Sequence, residues 1–149
     1  MEAVRHIPKT ELARHVRQVI KAVQRGQMAV VESHGEPEAA IIDIVDYHLL
    51  RAAMHFYAYP PQIDPQTGLT DEVVTGVTDV QARYNLVLAH YLSGAISLAR
   101  AAELLQLSWL DLRTRCLRVD IPVRTAPTDL TSVLEDAATA AAWPQSPAS

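Results

Sequence analysis

The sequence predicts an α+β protein: a small sheet-and-helix unit, then an all-α helix-turn-helix unit, then an acidic tail. Three observations predict it. Residues 10–26 place Leu12, Val16, Val19, Ile20 and Val23 at helical spacing, the stripe of a helix that buries one face. Met28-Ala29-Val30-Val31 and Ala39-Ala40-Ile41-Ile42-Asp43-Ile44-Val45 flank Ser33-His34-Gly35-Glu36-Pro37. Two β-branched runs about a short Gly/Pro turn are a hairpin signal. Between Thr78 and Arg118 three capped helical segments follow one another.

Taken in order, residues 1–57 make the first unit. Met1 to Pro8 forms a short strand or arm. Thr10 caps the first helix and Gly26 ends it, as a short hydroxyl side chain and a glycine do at those positions. Asp46 caps a second helix whose inner face is Leu49, Leu50, Ala53, Met54 and Tyr57. Tyr59-Pro60-Pro61 stops it, since proline lacks the N–H and restrains its predecessor. Residues 58–77 carry Pro60, Pro61, Pro65, Gly68 and Gly76 and read as a linker, with a helical turn near Asp71 to Val74.

The second unit, residues 78–123, opens on a Thr78-x-x-Gln81 capping box. Its first helix faces Tyr84, Val87, Leu88, Tyr91 and Leu92 inward and closes at Gly94. Ser97 and Ser108 start two more, over residues 98–105 and 109–118. Two short helices, a tight turn and small alanines at the crossing are what a helix-turn-helix needs. The last helix packs Leu112 and Cys116 inward and turns Arg113, Thr114, Arg115 and Arg118 outward. In the tail, residues 124–149, an alanine-rich helix over 128–142 gathers Leu130, Val133, Leu134, Ala137 and Ala141 on one side. It serves either as a partner-binding segment or as a helix packed back on its own unit.

Charge is distributed in blocks. Residues 1–26 carry six Lys/Arg against Glu2 and Glu11, and residues 32–79 carry nine acids against Arg51. Residues 100–124 hold five arginines and three acids, and residues 125–149 three acids with no base. Such segregation suits a chain that meets a polyanion at one place and a cationic partner at another. No run of 18 apolar residues occurs, and no apolar signal core stands at the N-terminus. A soluble, cytoplasmic protein with no membrane contact is therefore expected. One cysteine, Cys116, cannot build an internal disulfide framework and fits a reducing compartment.

Catalysis finds little footing. The six histidines form no HExxH pair, and phosphate-loop, dinucleotide-glycine and GxSxG patterns are missing. No catalytic residue, metal or cofactor is expected, and Cys116 reads as an inert core thiol. The strongest chemical feature is the basic series Arg14, Arg17, Lys21 and Arg25, preceded by Arg5 and Lys9. Cations along a helix neutralise phosphates and release counterions, and arginine reads guanine edges. A solvated helix face is the alternative reading.

Ile7-Pro8-Lys9-Thr10-Glu11-Leu12, the helix ending at Gly26, Val30 to Pro37 and Ala39 to Tyr47 together resemble the N-terminal half of prevent-host-death (Phd/YefM-type) antitoxins. The resemblance covers about a third of the chain. It implies a dimer that binds operator DNA and neutralises a toxin, with Arg14 standing about where the family places a DNA-contacting arginine. Tyr91 to Leu104, Ser108, Leu112, Cys116 and Ile121-Pro122-Val123 resemble a second group, helix-turn-helix antitoxins encoded beside PIN-domain toxins. Gln106 and Asp120 depart from that group, which has glycine at both places.

The expected function is thus an antitoxin of a type II toxin–antitoxin system that represses its own operon. DNA binding falls to Arg5, Lys9, Arg14, Arg17 and Lys21, with Arg113 and Arg115 from the second unit. Toxin binding falls to Arg118, Arg124, Leu130, Val133 and Leu134, with Arg124 free to enter the toxin's acidic site from its extended segment. The expected partners are a PIN-domain toxin, operator DNA and further copies of the chain in a homodimer or larger even-numbered oligomer. The rivals are a stand-alone DNA-binding transcription regulator and an adaptor that binds protein and no DNA.

Overall fold

In a strand, successive side chains face opposite sides, and in residues 28–32 only Ala29 and Val31 are buried, while Met28, Val30 and Glu32 are half-covered. One face of a small sheet is therefore the core face. The computed structural model describes residues 4–124. The tail expectations, including Leu130, Val133 and Leu134, lie outside the described residues. β1 (Val4–Pro8), β2 (Met28–Ser33) and β3 (Glu36–Ile41) form one sheet in that order, β1 parallel and β3 antiparallel to β2. His34 and Gly35 make the hairpin turn with φ of 52° and 80°, the positive pair that a two-residue primed turn requires. The second strand thus ends before the expected Val45, because residues 42–43 lead directly into a helix.

Two helices, α1 (Lys9–Arg14) and α2 (Val16–Gln24), cover the core face. The single helix expected over residues 10–26 is broken at His15, whose φ of −130° and ψ of 37° leave the helical region. Pro8 precedes α1 without a side-chain cap, so Thr10 is not the capping residue. The break has a packing cause. Leu12 in α1 and Val19 and Val23 in α2 all reach the cluster of Ile7, Ala29 and Val31. A change of phase at His15 lets both helices do so, and it turns Val16 and Ile20 outward, 49% and 39% exposed. The expected inward roles of Val16 and Ile20 are therefore corrected.

α3 (Ile44–Ala58) begins earlier than the expected Asp46 cap. Asp43 provides the cap instead, its carboxylate accepting the Val45 N–H at 3.0 Å and its carbonyl the Tyr47 N–H at 2.9 Å. Asp46 is buried in the first turn. Contacts divide the chain into two units between Tyr47 and His48, inside α3.

In the second unit α3 buries Leu49, Ala52 and Ala53, whereas Met54 and Tyr57, expected on its inner face, are 58% and 61% exposed. His48 stacks on Tyr84 at 5.2 Å, and its Nδ1 lies 2.7 Å from Gln81 Oε1. That contact explains why Gln81 does not complete a capping box. Asp79 caps α5 (Val80–Leu92), accepting the Ala82 N–H at 2.8 Å. Within residues 58–77, Thr70 caps α4 (Asp71–Thr75), Leu69 and Val74 are buried, and Arg100 binds the Leu69 carbonyl and the Asp71 carboxylate. Residues 69–75 therefore belong to this unit and do not form open linker. α6 (Leu98–Leu104) and α7 (Trp109–Arg118) are capped by Ser97 and Ser108, with Ala101, Ala102, Leu112 and Cys116 nearly inaccessible. No helix of the described residues is long and apolar enough to cross a membrane.

The turns after α6 and α7 carry the two departures from glycine. Gln106 and Asp120 have φ of 59° and 60°. Each sits where the chain leaves its helix through a pair of reverse bonds, Leu107 N–H to Ala102 O at 2.9 Å and Ile121 N–H to Cys116 O at 2.8 Å. This is the helix ending that normally takes glycine. A left-handed residue with a Cβ costs about 1–2 kcal/mol, and glycine returns part of that as chain entropy. Gln106→Gly is therefore expected to stabilise the protein by about 0.5–1 kcal/mol in urea unfolding. Asp120→Gly should gain less, since aspartate tolerates this region. An unchanged or lowered midpoint for Gln106→Gly would mean that the Gln106 side chain stabilises the turn.

Candidate nucleic-acid interface

The cations of the first unit fall into two sets. Arg5 and Lys9 are paired: Arg5 Nη2 lies 3.0 Å from Glu11 Oε1, and Lys9 Nζ lies 2.7 Å from Glu38 Oε1. The Lys9 hydrogen bond holds the Glu38 carboxyl below its ordinary range. Arg14, Arg17, Lys21 and Arg25 are exposed, and among the described residues none of their side chains has a hydrogen bond or ion pair. At about 100° per residue, Arg17 and Lys21 project on the side of α2 opposite the buried Val19 and Val23. Arg14 ends α1 just before the break and Arg25 is the C-cap residue of α2. The four do not make one continuous helical stripe, as expected from sequence, but a surface across a kinked helix pair. Exposed Val16 and Ile20 stand beside the arginines.

The second unit treats its arginines differently. Arg115, expected to point outward, is only 16% exposed, and its Nε donates to both Asp111 carboxylate oxygens at 3.1 and 3.2 Å. Arg118 is half-buried and also engaged internally. Arg113 alone of the α7 arginines has no partner among the described residues. Its neighbours on the outward surface are apolar, since Leu110 and Leu117 are 61% and 51% exposed and Trp109 is 51% exposed. The Thr114 hydroxyl donates back to the Leu110 carbonyl at 2.9 Å. An outward helix face of this kind carries fewer groups for base edges than its three arginines suggested.

Arg124 is turned inward. It donates from Nη1 to the Tyr91 carbonyl at 2.8 Å and from Nη2 to the Ile96 carbonyl, with its guanidinium 4.5 Å from the Tyr91 ring centroid. The Tyr91 hydroxyl donates to Pro122 O at 2.8 Å and accepts the Arg124 N–H at 3.2 Å. The segment after Pro122 is thus clamped to α5, in contrast with the expectation that it extends Arg124 toward a toxin.

The chain matches no family model, no curated protein and no solved structure. Among the described residues, no three His, Cys, Asp or Glu side chains are grouped so as to hold a metal ion. The cations are legible in the sequence by their spacing. The exposure of Trp109, Leu110 and Leu117 is not, because their spacing alone does not separate an inward from an outward position.

Proposed function

We propose that this chain is an antitoxin of a type II toxin–antitoxin system that also represses its own operon. DNA binding falls to the kinked pair of α1 and α2. The observation that carries the reading is the set of four exposed cations without acidic partners, on a unit whose other cations, Arg5 and Lys9, are paired. Unpaired exposed cations repel one another, and a phosphate backbone relieves that repulsion while releasing its counterions.

The sheet supports a homodimer. Register puts Val4 beside Met28 and Val30 beside Ala40 on the face away from the helices, and Val4 is 38% exposed. A cluster of five buried residues is a small core, and units of that size gain stability from a partner surface. A two-fold would double the α1–α2 surface and favour a palindromic operator. Toxin neutralisation falls to the second unit and its acidic extension, and the partner in this reading is a PIN-domain ribonuclease. The clamp on Arg124 moves the burden of contact toward other residues of that unit.

Co-expression of a tagged copy with the product of the adjacent reading frame tests the proposal. Stoichiometric co-purification and restored growth are expected. A clean protein with no bound neighbour and no rescue of growth would leave a plain transcription regulator in its place.

A further inference from the structure

The second unit holds an apolar cleft of about 410 Å³. Leu50, Met54 and Tyr57 of α3 form one wall, and Val119, Ile121 and Pro122 form the other, with the acidic Asp120 at its edge. Met54 and Tyr57 are more than half exposed, although a helix this apolar on several sides ordinarily buries them. We propose that residues 128–142 of this chain occupy the cleft in cis, as an amphipathic helix laid against α3.

Three features favour this occupant. The first is attachment. Pro122 is itself part of the cleft wall, and Arg124 is pinned by Tyr91 and Ile96. Residue 128 lies four links from Arg124 and so at most about 14 Å from it, which starts it within reach. A short tether holds its segment at an effective concentration in the mM range, which outcompetes a second copy at ordinary protein concentration. The second is pattern. Leu130, Val133, Leu134 and Ala137 repeat at i, i+3, i+4 and i+7, the spacing of anchors that enter an apolar groove from a helix. The third is charge. Arg51, one turn before Met54, is exposed and has no partner among the described residues, while residues 125–149 carry Asp129, Glu135 and Asp136 and no base. In the free chain the cleft would thus cover the apolar face that the proposed function offers to a partner, and a partner would have to displace it.

The test uses the full chain alone, with neither partner nor DNA, so its result is independent of the antitoxin reading. The protein has three methionines, Met1, Met28 and Met54, and only Met54 lines the cleft. Methionine methyl groups are labelled with carbon-13, and a nitroxide is attached through Ser132→Cys, on the polar side of the segment. Cys116 is fully buried and leaves Ser132→Cys as the reactive thiol. The Met54 methyl signal is expected to broaden severalfold relative to the same protein with its nitroxide reduced. Excess unlabelled chain should leave the broadening unchanged, and Val133→Asp with Leu134→Asp should abolish it. A Met54 signal that does not broaden, or whose broadening survives Val133→Asp with Leu134→Asp, would show that the cleft does not take this segment. Broadening lost on adding unlabelled chain would assign the cleft to the tail of a second copy and overturn the cis proposal.

Discussion

Arg14→Ala combined with Arg17→Ala is expected to weaken operator binding by 10- to 100-fold at about 0.1 M salt, on the order set by two lost phosphate contacts per protomer. The salt dependence gives the sharper readout. Each phosphate contact contributes about 0.9 to the slope of log K against log salt, so the double variant should flatten it by about two per protomer. Folding should not suffer, because both side chains are exposed and make no hydrogen bond or ion pair among the described residues. Surface changes of that sort usually stay within about 0.5 kcal/mol. Capture of the partner should be retained. Arg5→Ala is the instructive companion. Its guanidinium is already paired with Glu11 at 3.0 Å, and an alanine there should cost less affinity than either unpaired arginine. If the double variant kept operator affinity within about twofold and an unchanged slope, α1 and α2 would not be the DNA surface.

The features that proved legible in the sequence are those decided locally. Ser97 and Ser108 cap α6 and α7 because a serine hydroxyl reaches the N–H three residues on, at 3.1 and 3.0 Å. Ala101 and Ala102 fall at the buried crossing for the same reason, a short-range periodicity. The features that were not legible are set by distant partners. The apolar series from Leu12 to Val23 runs through His15 without interruption, so nothing local announces the break that lets both helices reach one sheet. Asp46 and Thr78 have the right chemistry for caps, yet Asp43 and Asp79 take those places, while Asp46 is buried and Gln81 turns to His48. At the candidate interface the cations were visible from spacing. Which of them keep an acidic neighbour was not, because Lys9 meets Glu38 across the sheet.

Tyr91→Ala should be the most damaging single change in the second unit. The side chain is fully buried, and removing a large aromatic from a core costs about 3–5 kcal/mol, a large part of the 5–15 kcal/mol typical of a whole domain. Loss of most helical signal at ordinary temperature is expected by circular dichroism. Tyr91→Phe separates the ring from the hydroxyl. It leaves the packing and removes the group that joins Pro122 O to the Arg124 N–H, at a cost of about 1–2 kcal/mol. Arg124→Ala removes the cation over the ring and the donors to two carbonyl oxygens. Because Tyr91 and Arg124 touch, their effects should not add, and a double-mutant cycle should return a coupling of about 0.5–3 kcal/mol. The same cycle decides what Arg124 is for. As a clamp 33 residues from its partner in sequence, it should lower the unfolding midpoint when replaced, and any loss of partner capture should follow that midpoint and be regained on cooling. Capture lost with the midpoint unchanged would make Arg124 a contact residue, reaching the partner only after its bonds to Tyr91 and Ile96 have opened.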